Sequence, residues 1–103
     1  MDRIVKLKEY LQANPGDCFL QHALALEYIK TGDDSTARKL FEEILAREPG
    51  YTGSYYHLAK LLERVGEKEE AIKIYEKGLE ETNKAGDKHA WNELKMAYEE
   101  LIY

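Results

Sequence analysis

The chain has 103 residues, of which 34% are charged and 44% hydrophobic, and its formal net charge is −5. This length fits one domain with a modest core, and the balance of charged and apolar residues excludes an intrinsically disordered chain. The acidic balance and the lack of a basic run argue against a nucleic-acid partner, because such binding needs clustered Lys and Arg.

The sequence also predicts a compartment. A single cysteine, Cys18, cannot form an intramolecular disulfide, so nothing in the chain points to an oxidising environment. The opening MDRIVKLKEY lacks the apolar core of a signal peptide, and no segment approaches the roughly 20 apolar residues that span a bilayer. We therefore expect a cytoplasmic protein that has no membrane partner.

The first predicted element is an amphipathic helix within residues 2–15. Ile4, Leu7 and Leu11 recur at helical spacing, and charged residues lie between them. The helix must end before Pro15, because proline disfavours the helical conformation in the residue that precedes it.

Two helices joined by a tight turn follow. Asp17 can cap a helix that runs to about Thr31 and is apolar on most of its faces. Gly32 ends that helix, and the polar residues after it can cap a partner helix that closes at Pro49.

A second pair repeats this plan, with helices over about 53–65 and 68–83 and a turn at Gly66. Corresponding residues are offset by 34 positions, as in the pairs Leu24 and Leu58, Ala25 and Ala59, Gly32 and Gly66, Ala37 and Ala71, Phe41 and Tyr75, and Leu45 and Leu79. After the second pair the period slips by two residues within 84–87, and a last helix carries Trp91 and Tyr98.

A period of 34 residues is typical of tetratricopeptide repeats, and the chain resembles that family over essentially its whole length. The resemblance implies a single all-α domain over 1–103, an α-solenoid of antiparallel helix pairs with about six helices. Residues 2–15 are a half-repeat, 18–51 and 52–85 are full repeats, and 87–103 are a capping helix or half-repeat.

Three residues depart from the family pattern. Gln21 stands where a large residue is common, Ile44 where a small residue is usual, and Lys95 where the last helix should carry its small residue. Because a following helix would have to pack against its charge, Lys95 favours a capping role for the last helix.

The resemblance implies protein binding, with the first helices of the repeats lining a concave groove for a peptide. By position, the groove residues are Phe19, His22, Leu26, Ile29, Gly53, Tyr56, His57, Lys60, Glu63, His89, Asn92 and Met96. Chaperone-binding members hold a C-terminal carboxylate with Lys, Asn and Arg. The corresponding places here include His22, Leu26, His57, His89 and Glu93, so that specificity is not supported.

The sequence also suggests other functions. The incomplete ends could instead stack between copies, which would make the chain a self-assembling structural subunit, so we expect a monomer or a weak homo-oligomer. Three histidines could bind zinc, but they come from three helices and lack a short ligand spacing. No nucleophile with a base or phosphate loop is present, so we expect no metal, no cofactor and no enzymatic activity.

Overall fold

The structure, a computed structural model, describes residues 2–103, and every regular element in that range is an α-helix. The prediction of an all-α fold with about six helices is confirmed. The helices are α1 (Arg3–Ala13), α2 (Cys18–Lys30), α3 (Asp34–Arg47), α4 (Gly53–Arg64), α5 (Lys68–Ala85) and α6 (Lys88–Ile102).

The helices are distributed over two compact units. The first unit extends to Arg47 and holds α1 to α3, and the second, Glu48–Tyr103, holds α4 to α6. The division into half-repeats, full repeats and a cap stays a prediction. Among the helices described, none is long and apolar enough to cross a membrane.

The residues predicted to start and stop helices do so. The carboxylate of Asp17 accepts a hydrogen bond from the Leu20 amide at 3.1 Å, which satisfies one of the unpaired donors in the first turn of α2. Gly32 and Gly66 both have φ of +85°, a left-handed conformation that glycine adopts at low cost. The two tight turns therefore form in the same way in each unit.

In the first unit, α2 packs against both α1 and α3. Ala25 and Ala37 are fully buried, as expected where two helices cross closely, and the ring of Phe41 is buried with them. Gln21, which departs from the repeat pattern, is also buried. The Arg47 guanidinium donates to its side-chain oxygen, which explains how an amide is accommodated in this core.

In the second unit, α5 packs against both α4 and α6. Ala59, Ala71 and Tyr75 are fully buried, and Leu94 of α6 is buried with them. These residues hold α4 and α6 in fixed positions on α5.

Helix α5 ends two residues later than predicted, at Ala85 instead of Asn83. The corresponding position in the first pair is Pro49, and α3 stops before it because proline has no amide hydrogen and disfavours helix in the preceding residue. Asparagine imposes neither restriction, so α5 continues until Gly86. The two residues by which the sequence exceeds the 34-residue period within 84–87 thus lengthen α5 and not the loop after it.

Candidate functional site

A cleft of about 300 Å³ lies between α4 and α6 in the second unit. Helix α4 contributes residues four apart, and α6 contributes residues three, four and seven apart, so each set lies on one face of its helix. The lining residues are Tyr56, Lys60, Glu93, Met96, Ala97 and Glu100.

The apolar part of the cleft is exposed to solvent on α6. Met96 has 65% of its surface exposed, whereas the neighbouring Ala97 is buried. Across the cleft, the ring of Tyr56 is half-buried and contacts the ring of His57 edge-on, with 5.6 Å between the centroids. A flexible thioether beside an aromatic ring is a surface that adapts well to apolar side chains of a partner.

The positive charge in the cleft is already paired. The Lys60 ammonium lies 3.7 Å from the Glu63 carboxylate, which also accepts a hydrogen bond from the buried hydroxyl of Tyr75. Glu63 therefore connects the cleft to the core of the second unit, because Tyr75 is fully buried. Burial and this hydrogen bond both raise the pKa of the Tyr75 phenol.

Two histidines of the predicted groove lie close to Glu93. Burial lowers the pKa of His57, and the Glu93 carboxylate acts in the opposite direction. The exposed His89 ring lies 3.8 Å from the same carboxylate, one helical turn away on α6. This contact becomes an ion pair only when His89 is protonated.

A second cavity, of about 340 Å³, lies where α5 meets the start of α6. Asn92, which was predicted to face the groove, lines this cavity together with Trp91 and Lys88. The carboxylate of Asp87 at its edge is occupied in capping α6, because it accepts from the Ala90 amide at 3.1 Å.

Four of the predicted groove residues lie on α2, in the first unit. Phe19 is 71% exposed, whereas Leu26 and Ile29 are half-buried. The ring of His22 contacts Phe41 edge-on, with 5.5 Å between the centroids. Phe19 is therefore the member of this set that offers the most surface to a partner.

The structure thus brings together Tyr56, Lys60 and Met96 of the predicted set. Gly53 is exposed at the first position of α4, apart from the cleft-lining residues. Ala97 and Glu100 line the cleft but were not named from the sequence. Their spacing from Glu93 and Met96 along one helix face was the signal that could have identified them.

The described part of the chain, residues 2–103, contains no group of three or more His, Cys, Asp or Glu side chains placed to hold a metal ion. A metal-dependent chemistry is therefore not assigned to either cavity.

Comparisons with known proteins agree on the repeat type. A family model described as Tetratricopeptide repeat matches residues 28–95. The Antiviral innate immune response effector IFIT1 of Macaca fascicularis is 29% identical over 79 residues, which are 77% of this chain and 16% of that protein. The chain thus spans less than a fifth of the length of the curated relatives compared with it.

Two solved structures share the fold. A tetratricopeptide repeat domain protein from Salinibacter ruber is 39% identical with a TM-score of 0.82, and the match covers 85% of this chain and 89% of that one. The first TPR of Spaghetti (RPAP3), described as bound to an HSP90 peptide, has 24% identity and a TM-score of 0.75 over 97% of this chain and 78% of that one. The predicted α-solenoid fold class is confirmed.

Proposed function

Since the chain belongs to the tetratricopeptide repeat family, we propose that it is a protein–protein interaction module that binds a peptide segment of a partner. The observation that carries this proposal is the cleft between α4 and α6, where the exposed Met96 lies among polar residues. An apolar side chain left in solvent beside convergent polar groups is a common feature of binding sites.

The size of the cleft suits this task. A volume of about 300 Å³ is at the lower end of the range for small-molecule pockets, so it accommodates one or two side chains and not a whole domain. Two helices held by a common core form its walls, and such a rigid frame reduces the entropy lost on binding.

The relatives support the class of function at the level of the fold. The structural neighbour from Spaghetti is described as bound to an HSP90 peptide, and repeat solenoids generally use their surfaces to bind extended partners. Phe19, His22, Leu26 and Ile29 of α2, which the family resemblance implies as groove residues, are a separate candidate binding surface within the first unit.

Selection from a random peptide library displayed on phage, with the purified chain as bait, tests the proposal. We expect the affinity of a selected peptide, measured by fluorescence anisotropy, to fall by at least fivefold in Met96→Ser, the loss that truncating a contributing interface residue produces at about 1 kcal/mol. Val65→Ser is the matched control, because Val65 is also an exposed apolar residue but does not line the cleft.

Equal affinity of the two variants would contradict the cleft as the binding site. Circular dichroism of both variants shows whether any loss of affinity reflects unfolding.

A second candidate function is self-assembly through the end helices. Val5 and Tyr10 on α1 are both exposed, and Tyr103 at the other end is 94% exposed. Sedimentation velocity over a range of concentrations separates the two functions. A discrete, concentration-dependent oligomer that Tyr10→Ser disrupts would favour assembly over peptide binding.

A further inference from the structure

We propose that the cleft between α4 and α6 selects basic peptide segments, in which a Lys or Arg side chain lies next to an apolar one. This inference rests on the proposed peptide-binding function and adds the chemistry of the partner to it. Three features of the cleft point to this occupant: its negative charge, the pairing of its basic residue with a carboxylate of the protein, and its apolar wall.

The charge of the cleft is negative. Two of the six lining residues, Glu93 and Glu100, are carboxylates, and both are exposed on the face of α6 that forms the wall. The only lining residue with the opposite charge is Lys60. Carboxylates along a cleft concentrate their field within it and attract cations of a partner.

The basic side chain of the cleft is engaged by the protein itself. Lys60 lies against Glu63, so the pair contributes little net charge to the cleft. On α6, the Lys95 ammonium lies over the ring of Trp91, 5.1 Å from its centroid, and Lys95 does not line the cleft. An acidic peptide would therefore meet two carboxylates and no readily available cation.

Glu100 is the clearest acceptor for an incoming cation. Among residues 2–103, no ion pair involves its carboxylate. Glu93 lies near His57 and near the exposed His89, and its contact with His89 is an ion pair only when that ring is protonated. Both carboxylates are available to a Lys or Arg of the partner, which forms the stronger, charge-assisted hydrogen bonds.

The apolar wall of the cleft favours a peptide with an apolar side chain over a ligand that carries only positive charges. Met96 lies between Glu93 and Glu100 on the same face of α6, and its exposed thioether gains contact only from an apolar group. A spacing of three or four residues from Met96 to each carboxylate is about one helical turn. A peptide that alternates basic and apolar side chains can therefore contact all three residues.

The test combines the selected peptides with charge variants of the protein. We expect the selected sequences to be enriched in Lys and Arg beside apolar residues. Binding of a selected peptide should weaken about two- to fivefold in Glu93→Gln and in Glu100→Gln, the effect of removing one exposed ion pair. The decrease should shrink at about 1 M salt, where the Debye length is only about 3 Å.

Glu99→Gln is the matched control. It removes the same charge from the same helix, but Glu99 does not line the cleft. We expect its affinity to equal that of the unmodified chain, and circular dichroism checks that all three variants remain helical.

The outcomes separate failure of the basic specificity from failure of the proposed peptide-binding site. Selected peptides that are acidic or neutral, with affinity that depends on Met96 but not on Glu93 or Glu100, would overturn the basic specificity and leave peptide binding in place. Equal losses in Glu99→Gln and Glu100→Gln would overturn it too, because the effect would then follow net charge. Peptides whose affinity is unchanged in Met96→Ser and in both charge variants would overturn the cleft as the binding site, and the basic specificity with it.

Discussion

Gly78 on α5 lies directly against Tyr55 on α4, so that a Cβ atom added at Gly78 would lie 2.8 Å from the Tyr55 Cβ. The positions one repeat earlier are Ile44 and Gln21, and both of these residues are buried. In the first unit the larger apolar residue is Ile44 on α3, and in the second unit it is Tyr55 on α4. The sizes at the two positions are complementary within each unit.

We expect Gly78→Ala to destabilise the protein by up to about 2 kcal/mol, because the helix preference for alanine of about 1 kcal/mol only partly offsets an overpacking cost of about 1–3 kcal/mol. Chemical denaturation measures the change. Gly50→Ala is the control, since a Cβ there meets nothing within 4 Å. A Gly78→Ala variant that is more stable than the unmodified chain would show that Tyr55 moves aside without cost.

The alanines at the helix crossings give a second packing prediction. Ala37 and Ala71 are fully buried, whereas Ala46 on α3 is exposed. We expect Ala37→Leu and Ala71→Leu each to lower the free energy of unfolding by about 1–3 kcal/mol, because the extra methyl groups force the helices apart. Urea denaturation should show Ala46→Leu unchanged within about 0.5 kcal/mol. Unchanged midpoints for both buried variants would contradict the close crossings.

The cluster around Arg47 gives a third prediction. Its guanidinium donates to the buried Gln21 side chain and lies 3.4 Å from both the Gly16 carbonyl oxygen and the Cys18 sulfur. We expect Arg47→Gln to cost about 1–3 kcal/mol, since it deprives a buried amide of its partner. Lys39→Gln, an exposed change on the same helix, should cost less than about 0.5 kcal/mol. Thermal unfolding in which both variants behave alike would argue against this role.

Tyr75 donates a hydrogen bond to Glu63, and we expect loss of the acceptor to destabilise the protein more than loss of the donor. Glu63→Ala leaves the buried phenol without an acceptor, so we expect a loss of about 1–3 kcal/mol. Tyr75→Phe removes the donor and leaves a carboxylate that is still beside Lys60, so its loss should be smaller, about 0.5–1.5 kcal/mol. Denaturation of both variants and of the double variant measures the coupling. A coupling energy of zero would show that the bond does not contribute.

The raised pKa of Tyr55 predicts that the protein loses stability at alkaline pH. Burial, with smaller effects of Glu81 and Glu80, raises the pKa of its phenol from 10.0 to about 12. The unfolded chain therefore releases this proton at a lower pH than the folded protein does. The contribution is complete below pH 10 and decreases as the pH rises towards 12, by about 2–3 kcal/mol in total.

Denaturation at several pH values, with ultraviolet absorbance to follow phenolate formation, measures this dependence. Tyr55→Phe is the control, because it removes the titrating group and keeps the ring. We expect its stability to decrease less steeply over the same range. Equal slopes would show that other groups cause the alkaline loss.

The sequence by itself determined the helices and most of their ends, because these depend on neighbours along the chain. The 34-residue period, the cap at Asp17 and the left-handed turns at Gly32 and Gly66 are all local features. The family resemblance implied Tyr56 and Lys60 as groove residues, and both line the cleft between α4 and α6, while their role in binding stays a prediction.

Only the tertiary structure decided how side chains from separate helices meet. Arg47 reaches Gln21 across 26 residues, and the rotation of α6 against α4 places Ala97 and Glu100 in the cleft and Asn92 in the other cavity. No local preference encodes these contacts, because they depend on how bulky residues of three helices pack together. The period predicts which face of a helix is buried, but the packing determines which charges line the cleft.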